Sequence, residues 1–157
     1  MDSSLVEGYV SPQTYLRPEG VEILGRSAQV TVAPYHQIRA LYFVKEFLGM
    51  GDLDQKRVFG SRPKQDGLWV RLKFRDEEVY EGVVPNNLLL MGEHGVTFTP
   101  PDANSNTQRI FVPRQALDEI QVLGVIGSPV NRRRPRRREP VKEQIGLFRE
   151  ERAEGAS

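Results

Sequence analysis

The stretch from Leu68 to Ile126 decides the fold of this chain. It contains five short runs, LWVRLKF at 68–74, EVYEGVV at 78–84, GVTFT at 95–99, RIFV at 109–112 and IQVLGV at 120–125. Each run is rich in β-branched and aromatic residues and is bounded by turn residues, which is typical of strands. Five such runs in so short a stretch predict a small, strongly bent antiparallel barrel.

The first run shows the alternation of a half-buried strand. Val70, Leu72 and Phe74 alternate with basic residues, and a period of two puts the apolar set on one face of a sheet. Asp76-Glu77 is predicted as the hairpin connection to the next strand. Gly82 inside that strand predicts a sharp bend, because a side chain there would clash as the sheet curls.

The same parity argument predicts one buried barrel core. Its expected members are Val70, Leu72, Phe74, Val79, Val96, Phe98, Ile110, Val112, Ile120 and Val122. Phe111 is the ambiguous position, because strand parity turns it away from its neighbours Ile110 and Val112.

These runs resemble the Sm-like family of small, SH3-like barrels. The residues that carry the resemblance are RLKFR at 71–75, YEGVV at 80–84, NLLL at 87–90 and IFVPR at 110–114. The Asp-x-x-Met-Asn segment of that family is replaced by Asn86-Asn87, and its RNA-binding Arg-Gly turn is Pro113-Arg114 here. The arrangement is also similar to an uncharacterised bacterial family of Sm-like proteins. The resemblance therefore implies a fold and no activity.

A second, degraded copy of the pattern precedes the first. VEGYVSP at 6–12 aligns with YEGVVP at 80–85, GVEIL at 20–24 with GVTFT at 95–99, and QVTVAP at 29–34 with QRIFVP at 108–113. The offsets are 74, 75 and 79 residues. The alternative is chance similarity between two β-rich segments. Because two copies are too few for a solenoid, we expect two tandem barrels side by side.

The first copy lacks the strand that opens the second, since only four residues precede Leu5. A barrel without one strand exposes two edges of unpaired N–H and C=O groups. We expect a partner subunit, the linker segment 56–60 or the neighbouring barrel to cover them, unless the opening strand lies upstream of Met1. Leu41–Phe47 is predicted as the last strand of this copy.

Composition divides the chain into four predicted parts. These are an incomplete first barrel at 1–48, a linker at 49–66 with a candidate strand at Val58-Phe59, a second barrel at 67–127 and a tail at 128–157. Residues 1–128 hold 13 Lys/Arg and 16 Asp/Glu, whereas residues 129–157 hold 9 and 5. Six arginines between Arg132 and Arg138 repel one another and bring little apolar surface, so we expect a disordered basic tail.

No constellation of residues indicates catalysis. The chain has no cysteine, which excludes a thiolate nucleophile, a disulfide and cysteine-ligated zinc. His36 and His94 lie in predicted turns without further ligands at metal-binding spacing, and neither a nucleophile elbow nor a phosphate-binding loop is present. The acidic residues within 76–81 are expected to be solvated charges. We therefore predict a non-enzymatic protein without metal or cofactor.

The sequence predicts a cytoplasmic binding or scaffold module without a transmembrane segment. Its partner is expected to be a protein, or a second copy, docked on the open edge of the first barrel. The alternative is binding of RNA or another nucleic acid, since arginine offers bidentate donors to phosphate, although the tail could also be merely solubilising. The candidate residues for nucleic-acid binding are Arg114 in the last barrel turn and Arg132, Arg133, Arg134, Arg136, Arg137 and Arg138 in the tail.

Overall fold

A computed structural model describes residues 4–49, 56–86, 92–102 and 105–127. The strands assigned in these ranges are β1 (Gly8–Tyr9), β2 (Gly20–Gly25), β3 (Val30–Pro34), β4 (Leu41–Val44), β5 (Gly67–Phe74), β6 (Val79–Val84), β7 (Gly95–Phe98), β8 (Thr107–Pro113) and β9 (Leu117–Ile126). Short 3-10 turns at Tyr35–Gln37 and Arg114–Ala116 follow β3 and β8. The predicted tail at 128–157 lies outside the described residues.

The strands pair into three antiparallel sheets, in the orders β1-β2-β3, β4-β8-β7 and β6-β5-β9. A bridge between Val83 and Thr99 connects β6 to the end of β7, with reciprocal N–H to carbonyl distances of 3.0 and 2.9 Å. The predicted all-β class is confirmed. None of the three sheets closes into a barrel by continuous strand pairing.

The larger core is built from β5 to β9. Seven of the predicted core residues are buried in it, namely Val70, Leu72, Phe74, Val96, Phe98, Ile110 and Val112. Phe111 is buried as well, but it packs with Val21 and Tyr35 in a second, smaller cluster. Strand parity therefore turns Phe111 away from its neighbours, as the sequence indicates.

Three predictions of buried residues are wrong. Val79 is only half-buried, because it opens β6 beside the hairpin turn. Ile120 is 36% exposed and Val122 is 49% exposed. Register shifts opposite Trp69/Val70 and Lys73/Phe74 put an extra residue into β9 at two points. Ile120 and Val122 nevertheless lie directly opposite the buried Leu72 and Val70, on the same face of the sheet. They stay exposed because β9 is the edge strand of its sheet in the described part of the chain, and the buried positions of β9 are Leu117 and Ile126.

The predicted connection of the β5–β6 hairpin is confirmed. The connection is Asp76-Glu77, where Glu77 has a φ of 68° and its N–H donates to the carbonyl of Phe74 at 3.0 Å. A Cβ on Gly82 would lie 2.2 Å from a ring carbon of Phe98. The strand therefore needs glycine where the ring crosses it.

The segment β1–β4 repeats strand registers of the segment β6–β9. At offsets of 75 and 79 residues, the pair Gly20–Pro34 of β2 and β3 corresponds to the pair Gly95–Pro113 of β7 and β8. Pro34 has φ and ψ of −61° and 142°, and Pro113 has −60° and 143°. We call residues equivalent when they are related by the alignment offsets of 74, 75 and 79.

A second pair of contacts shows the same equivalence. Tyr9 pairs with Leu24 between β1 and β2, and their equivalents Val83 and Thr99 form the bridge between β6 and β7. Gly8 is tightly covered in the same way as its equivalent Gly82, because a Cβ there would lie 2.5 Å from Ile23 Cγ2. Ile23 is itself the equivalent of Phe98.

Residues 57 and 59 of the predicted linker contact β6. The Glu81 N–H donates to the Arg57 carbonyl at 2.6 Å, and the Phe59 N–H donates to Glu81 Oε2 at 3.1 Å. No strand is assigned at Val58-Phe59, so that strand prediction is wrong. Among the residues described, the 56–60 segment thus lies along β6 and does not cover an edge of β1–β4.

Candidate functional site

Strand β4 is the element that joins the two segments. It follows β1–β3 in the chain, yet it pairs with β8, with Leu41 opposite Phe111 and Phe43 opposite Arg109. The Lys45 N–H extends this pairing by donating to the Asn106 carbonyl at 3.0 Å. This pairing occupies one edge of β4, and it is not one of the two edges that a missing opening strand would expose.

The opposite edge of β4 can be identified from backbone directions. In an antiparallel strand the N–H and C=O of alternate residues point to alternate edges. Because Lys45 faces β8, Leu41 and Phe43 also face β8. Tyr42 and Val44 then direct their backbone groups to the other edge.

The second segment consists of β6–β9 together with β5. In it, β5 pairs with the edge of β9 that corresponds to the Tyr42–Val44 edge of β4. The Phe74 N–H donates to Glu78 on the β6 side, and the Arg75 N–H donates to Ala116 on the β9 side. Arg71 therefore faces β9, where it pairs with Gln121. Gln121 is the equivalent of Tyr42, and it points its backbone groups at β5.

The pairing of β5 with β6 shows the same correspondence between the two segments. Gly82 pairs with Val70 of β5, and its equivalent in the first segment is Gly8 of β1. Strand β5 thus fills the position between β6 and β9. In the part of the chain that the structure describes, no strand fills the corresponding position between β1 and β4. We call this position the open strand site.

The core beside the open strand site is thin. Three residues are buried in its cluster, Val21, Tyr35 and Phe111, whereas the larger core has eleven buried members. Its remaining apolar members are partly exposed, namely Val10, Tyr15, Leu16, Ile23, Ile38, Leu41 and Phe43. Partial burial of these side chains is the result expected when one layer of a small β fold is missing.

Aromatic contacts hold this cluster together. The Tyr15 ring lies edge-on to Phe43 at 5.6 Å and to Phe111 at 6.2 Å, and Tyr9 lies edge-on to Phe47 at 5.4 Å. Tyr9 is nevertheless 60% exposed. Leu5 and Val6 are also exposed, at 41% and 70%. The segment around β1 therefore offers apolar surface close to unpaired backbone edges.

A polar cluster fixes the start of β4 against the second segment. Arg39 pairs with Asp76 at 2.8 Å and with Glu78, and its guanidinium lies 4.7 Å from the centre of the Phe74 ring. The hydrogen bond from Arg39 lowers the pKa of Asp76 below its ordinary value. Burial is the main cause that raises the pKa of Tyr42, one residue into β4. These contacts are structural, and they position the strand beside the open site.

Glu81 departs from the expectation of a solvated charge. It is only 4% exposed, and it accepts hydrogen bonds from Trp69 Nε1 at 3.2 Å and from Arg71 Nη2 at 3.0 Å. With the Phe59 amide as its third donor, this carboxylate joins β5, β6 and the linker. A carboxylate with three donors has a structural role in the second segment.

The predicted nucleic-acid-binding residue Arg114 lies on the 3-10 turn after β8. Its side chain is exposed, and it lines a cleft of about 180 Å³ together with Asp118 and Glu119. Two carboxylates beside one guanidinium repel phosphate. The predicted tail residues Arg132, Arg133, Arg134, Arg136, Arg137 and Arg138 lie outside the described residues.

The two histidines stay in turns. His36 is exposed, while His94 is half-buried and stacks on Tyr35 with 4.9 Å between ring centres. No group of three or more potential metal ligands occurs among the described residues. Within the same residues no helix has the length and apolar character needed to cross a membrane.

Residues on two further strand edges were not identified from the sequence. Val30 and Val32 on β3 are 61% and 41% exposed, and Ile120 and Val122 on β9 are similarly accessible. The sequence carries a partial signal for β3, since the repeat alignment makes Val30 and Val32 equivalent to residues of β8. It carries none for β9, because the sequence does not indicate that β9 forms the edge of its sheet.

Residues 1–124 match a family of unknown function (DUF6982), and the chain belongs to that family. Comparison with curated proteins and with solved structures gave no match.

Proposed function

We propose that this chain is a non-enzymatic binding or scaffold module of two tandem Sm-like units, the first of which lacks its opening strand. In this proposal a protein partner supplies an extended segment that occupies the open strand site between β1 and β4. The observation that carries the proposal is a contrast between the two segments. In the second segment β5 lies between β6 and β9, whereas no described strand lies between β1 and β4 of the first.

The shared strand registers support the tandem arrangement. Chance similarity of composition explains two β-rich segments, but it does not explain equal pairing at Gly20–Pro34 and Gly95–Pro113. Equivalent close approaches at Gly8 and Gly82 add a second, independent correspondence. Both segments therefore share the bent-strand geometry from which a small barrel is built.

Strand β5 indicates the chemistry of the partner segment. It buries Leu68, Val70, Leu72 and Phe74 at alternate positions and pairs on both edges. A segment for the open site needs the same alternation, and it needs free backbone groups that meet those of Gly8, Tyr42 and Val44. In strand addition, main-chain hydrogen bonds supply affinity and alternate side chains supply specificity.

A peptide with the sequence of residues 67–75, GLWVRLKFR, provides a direct probe of this site. We expect it to bind the full-length chain, as measured by fluorescence anisotropy. A peptide of the same composition, reordered to abolish the alternation, should bind much more weakly. Equal binding of the two peptides would show a nonspecific interaction and contradict the proposal.

A proline in β4 tests whether the peptide binds at the open strand site. Val44→Pro removes an N–H that faces the open site while leaving the Lys45–Asn106 bond to β8 in place. We expect Val44→Pro to abolish peptide binding, whereas the matched control Val44→Thr keeps the N–H and the β-branched shape and should bind normally. Unchanged binding by a folded Val44→Pro variant would place the peptide elsewhere.

Binding of RNA through Arg114 and the tail is the alternative proposal. Its support is the arginine run from Arg132 to Arg138, while the acidic neighbours of Arg114 oppose it. If the alternative holds, replacing the six tail arginines with serine abolishes binding of single-stranded RNA, and affinity falls steeply with added salt. Arg114→Ala then reports whether the turn contributes.

A further inference from the structure

We propose that residues 56–65 and the turn at Pro101-Asp102 form a second docking site, which binds an acidic peptide segment of a partner protein. We call this site the basic cleft. It shares no residue with the open strand site, so it stands or falls separately from the proposed function.

The sequence of the linker gives this surface its charge. Residues 56–65 read KRVFGSRPKQ and contain four cations and no carboxylate. Residues 1–128 as a whole hold 13 Lys/Arg and 16 Asp/Glu. The linker is therefore a basic stretch on an acidic body, and such local contrasts of charge are typical of surfaces that meet a partner of opposite sign.

The linker residues line a cleft of about 470 Å³. Lys56, Arg62 and Lys64 contribute cations to it, and Asp102 contributes a carboxylate. Three cations against one carboxylate leave an excess of two positive charges. The cleft is large enough for several side chains of a ligand.

The charge of the cleft is not neutralised within the described residues. Arg57, the fourth cation of the linker, pairs with Glu78 at 3.3 Å. The three cations that line the cleft form no ion pair in the described part of the chain. Arg62 instead donates from Nη2 to the Val125 carbonyl at 2.8 Å, which holds the guanidinium in place and leaves its charge unopposed. The cleft therefore keeps its positive charge for a ligand.

The walls of the cleft are held by contacts of the fold. The Phe59 ring lies edge-on to Trp69 with 6.2 Å between ring centres, and Pro63 is buried. Pro101 follows the bridge that connects Thr99 to β6. Walls that are fixed before a ligand arrives reduce the ordering cost of binding.

The mixture of side chains selects the class of ligand. Val58 is 50% exposed and Pro101 is half-buried, so apolar surface lies beside the cations. Asp102 repels a phosphate backbone, whereas it can accept a hydrogen bond from a peptide N–H. A peptide of acidic residues with apolar ones between them offers carboxylates, apolar side chains and N–H groups together. A nucleic-acid backbone offers phosphates and no N–H group.

Fluorescence anisotropy of a labelled peptide of glutamates with interspersed leucines, added to the full-length chain, tests the proposal. Lys56 and Lys64 are exposed, so replacing both with glutamine should leave the fold intact. This double variant should bind the peptide about tenfold more weakly, since two charge pairs are lost. The matched control replaces Lys45 and Arg75, two exposed cations outside the cleft, with glutamine and should bind like the wild type.

Three further arms locate and identify the ligand. The same peptide with glutamine in place of glutamate should bind much more weakly. A chain whose six arginines between Arg132 and Arg138 are replaced with serine should keep most of its affinity for the acidic peptide. Val44→Pro, which disrupts the open strand site, should also keep it, so failure of one site is distinguishable from failure of the other.

Several results would overturn the proposal. They are equal binding of the acidic and the glutamine peptide, normal binding by the Lys56 and Lys64 double variant, and loss of binding in the tail variant or in folded Val44→Pro. Tighter binding of single-stranded RNA than of the acidic peptide, lost in the double variant, would show that the cleft recognises phosphate and would also overturn it.

Discussion

Removal of the Phe98 ring measures how completely the second segment is packed. Phe98 is 1% exposed, and its ring lies against Gly82, which has no side chain to fill the space that the ring would leave. Phe98→Ala therefore loses the transfer free energy of the ring and leaves a cavity, at a cost of about 3–5 kcal/mol. The assay is urea unfolding followed by the fluorescence of Trp69, the single tryptophan.

The equivalent residue of the first segment provides the comparison. Ile23 is half-buried in the thinner cluster beside the open strand site. Because its side chain is only partly buried, Ile23→Ala should cost less, about 1–2 kcal/mol. An unfolding midpoint unchanged by Phe98→Ala, or an equal loss for both substitutions, would refute the contrast between a filled and an unfilled segment.

Three further predictions concern single side chains. Glu77 has a left-handed backbone, so Glu77→Gly should raise the free energy of unfolding by about 1 kcal/mol in urea titrations. The hydrogen bond from Arg39 lowers the pKa of Asp76. The stabilisation that the Asp76 carboxylate gives is therefore fully present above the unfolded-state pKa and is lost as the pH falls through the folded-state pKa. Asp76→Asn should remove this part of the acid sensitivity in thermal melts recorded against pH. Glu81 accepts three hydrogen bonds in a buried site. Glu81→Ala leaves the Trp69 and Phe59 N–H donors without their acceptor, while Arg71 is exposed enough to be solvated, so the substitution should cost about 1–3 kcal/mol in urea unfolding. A loss below that of an exposed ion pair would contradict its structural role.

The strands and most of the core of the second segment are predictable from the sequence. Alternation in β5 gives the burial of Val70, Leu72 and Phe74, since a period of two is a local property of an extended chain. The failures at Ile120 and Val122 have a tertiary cause. Both residues lie opposite buried residues of β5, but β9 is the edge strand of its sheet among the described residues, and no residue of β9 indicates that position.

The repeat offsets are also predictable, and they lead to the open strand site. Equivalence of Gly8 with Gly82 and of Tyr42 with Gln121 follows from the sequence alignment. The sequence does not predict that β4 pairs with β8, because strand partners distant in the chain are selected by packing of the whole fold. The position of the linker residues 56–60 is unpredictable for a similar reason, because it depends on the hydrogen bond from Phe59 to Glu81 of β6.

The most direct test of the central proposal is amide hydrogen exchange of the free chain and of the chain with the 67–75 peptide. Phe43 faces β8 and Gln121 faces β5, so their amides should exchange slowly in both samples. The amides of Tyr42 and Gly8 face the open strand site, so they should exchange fast in the free chain and slowly once the peptide is bound. Slow exchange of Tyr42 and Gly8 in the free chain would contradict the existence of an open strand site.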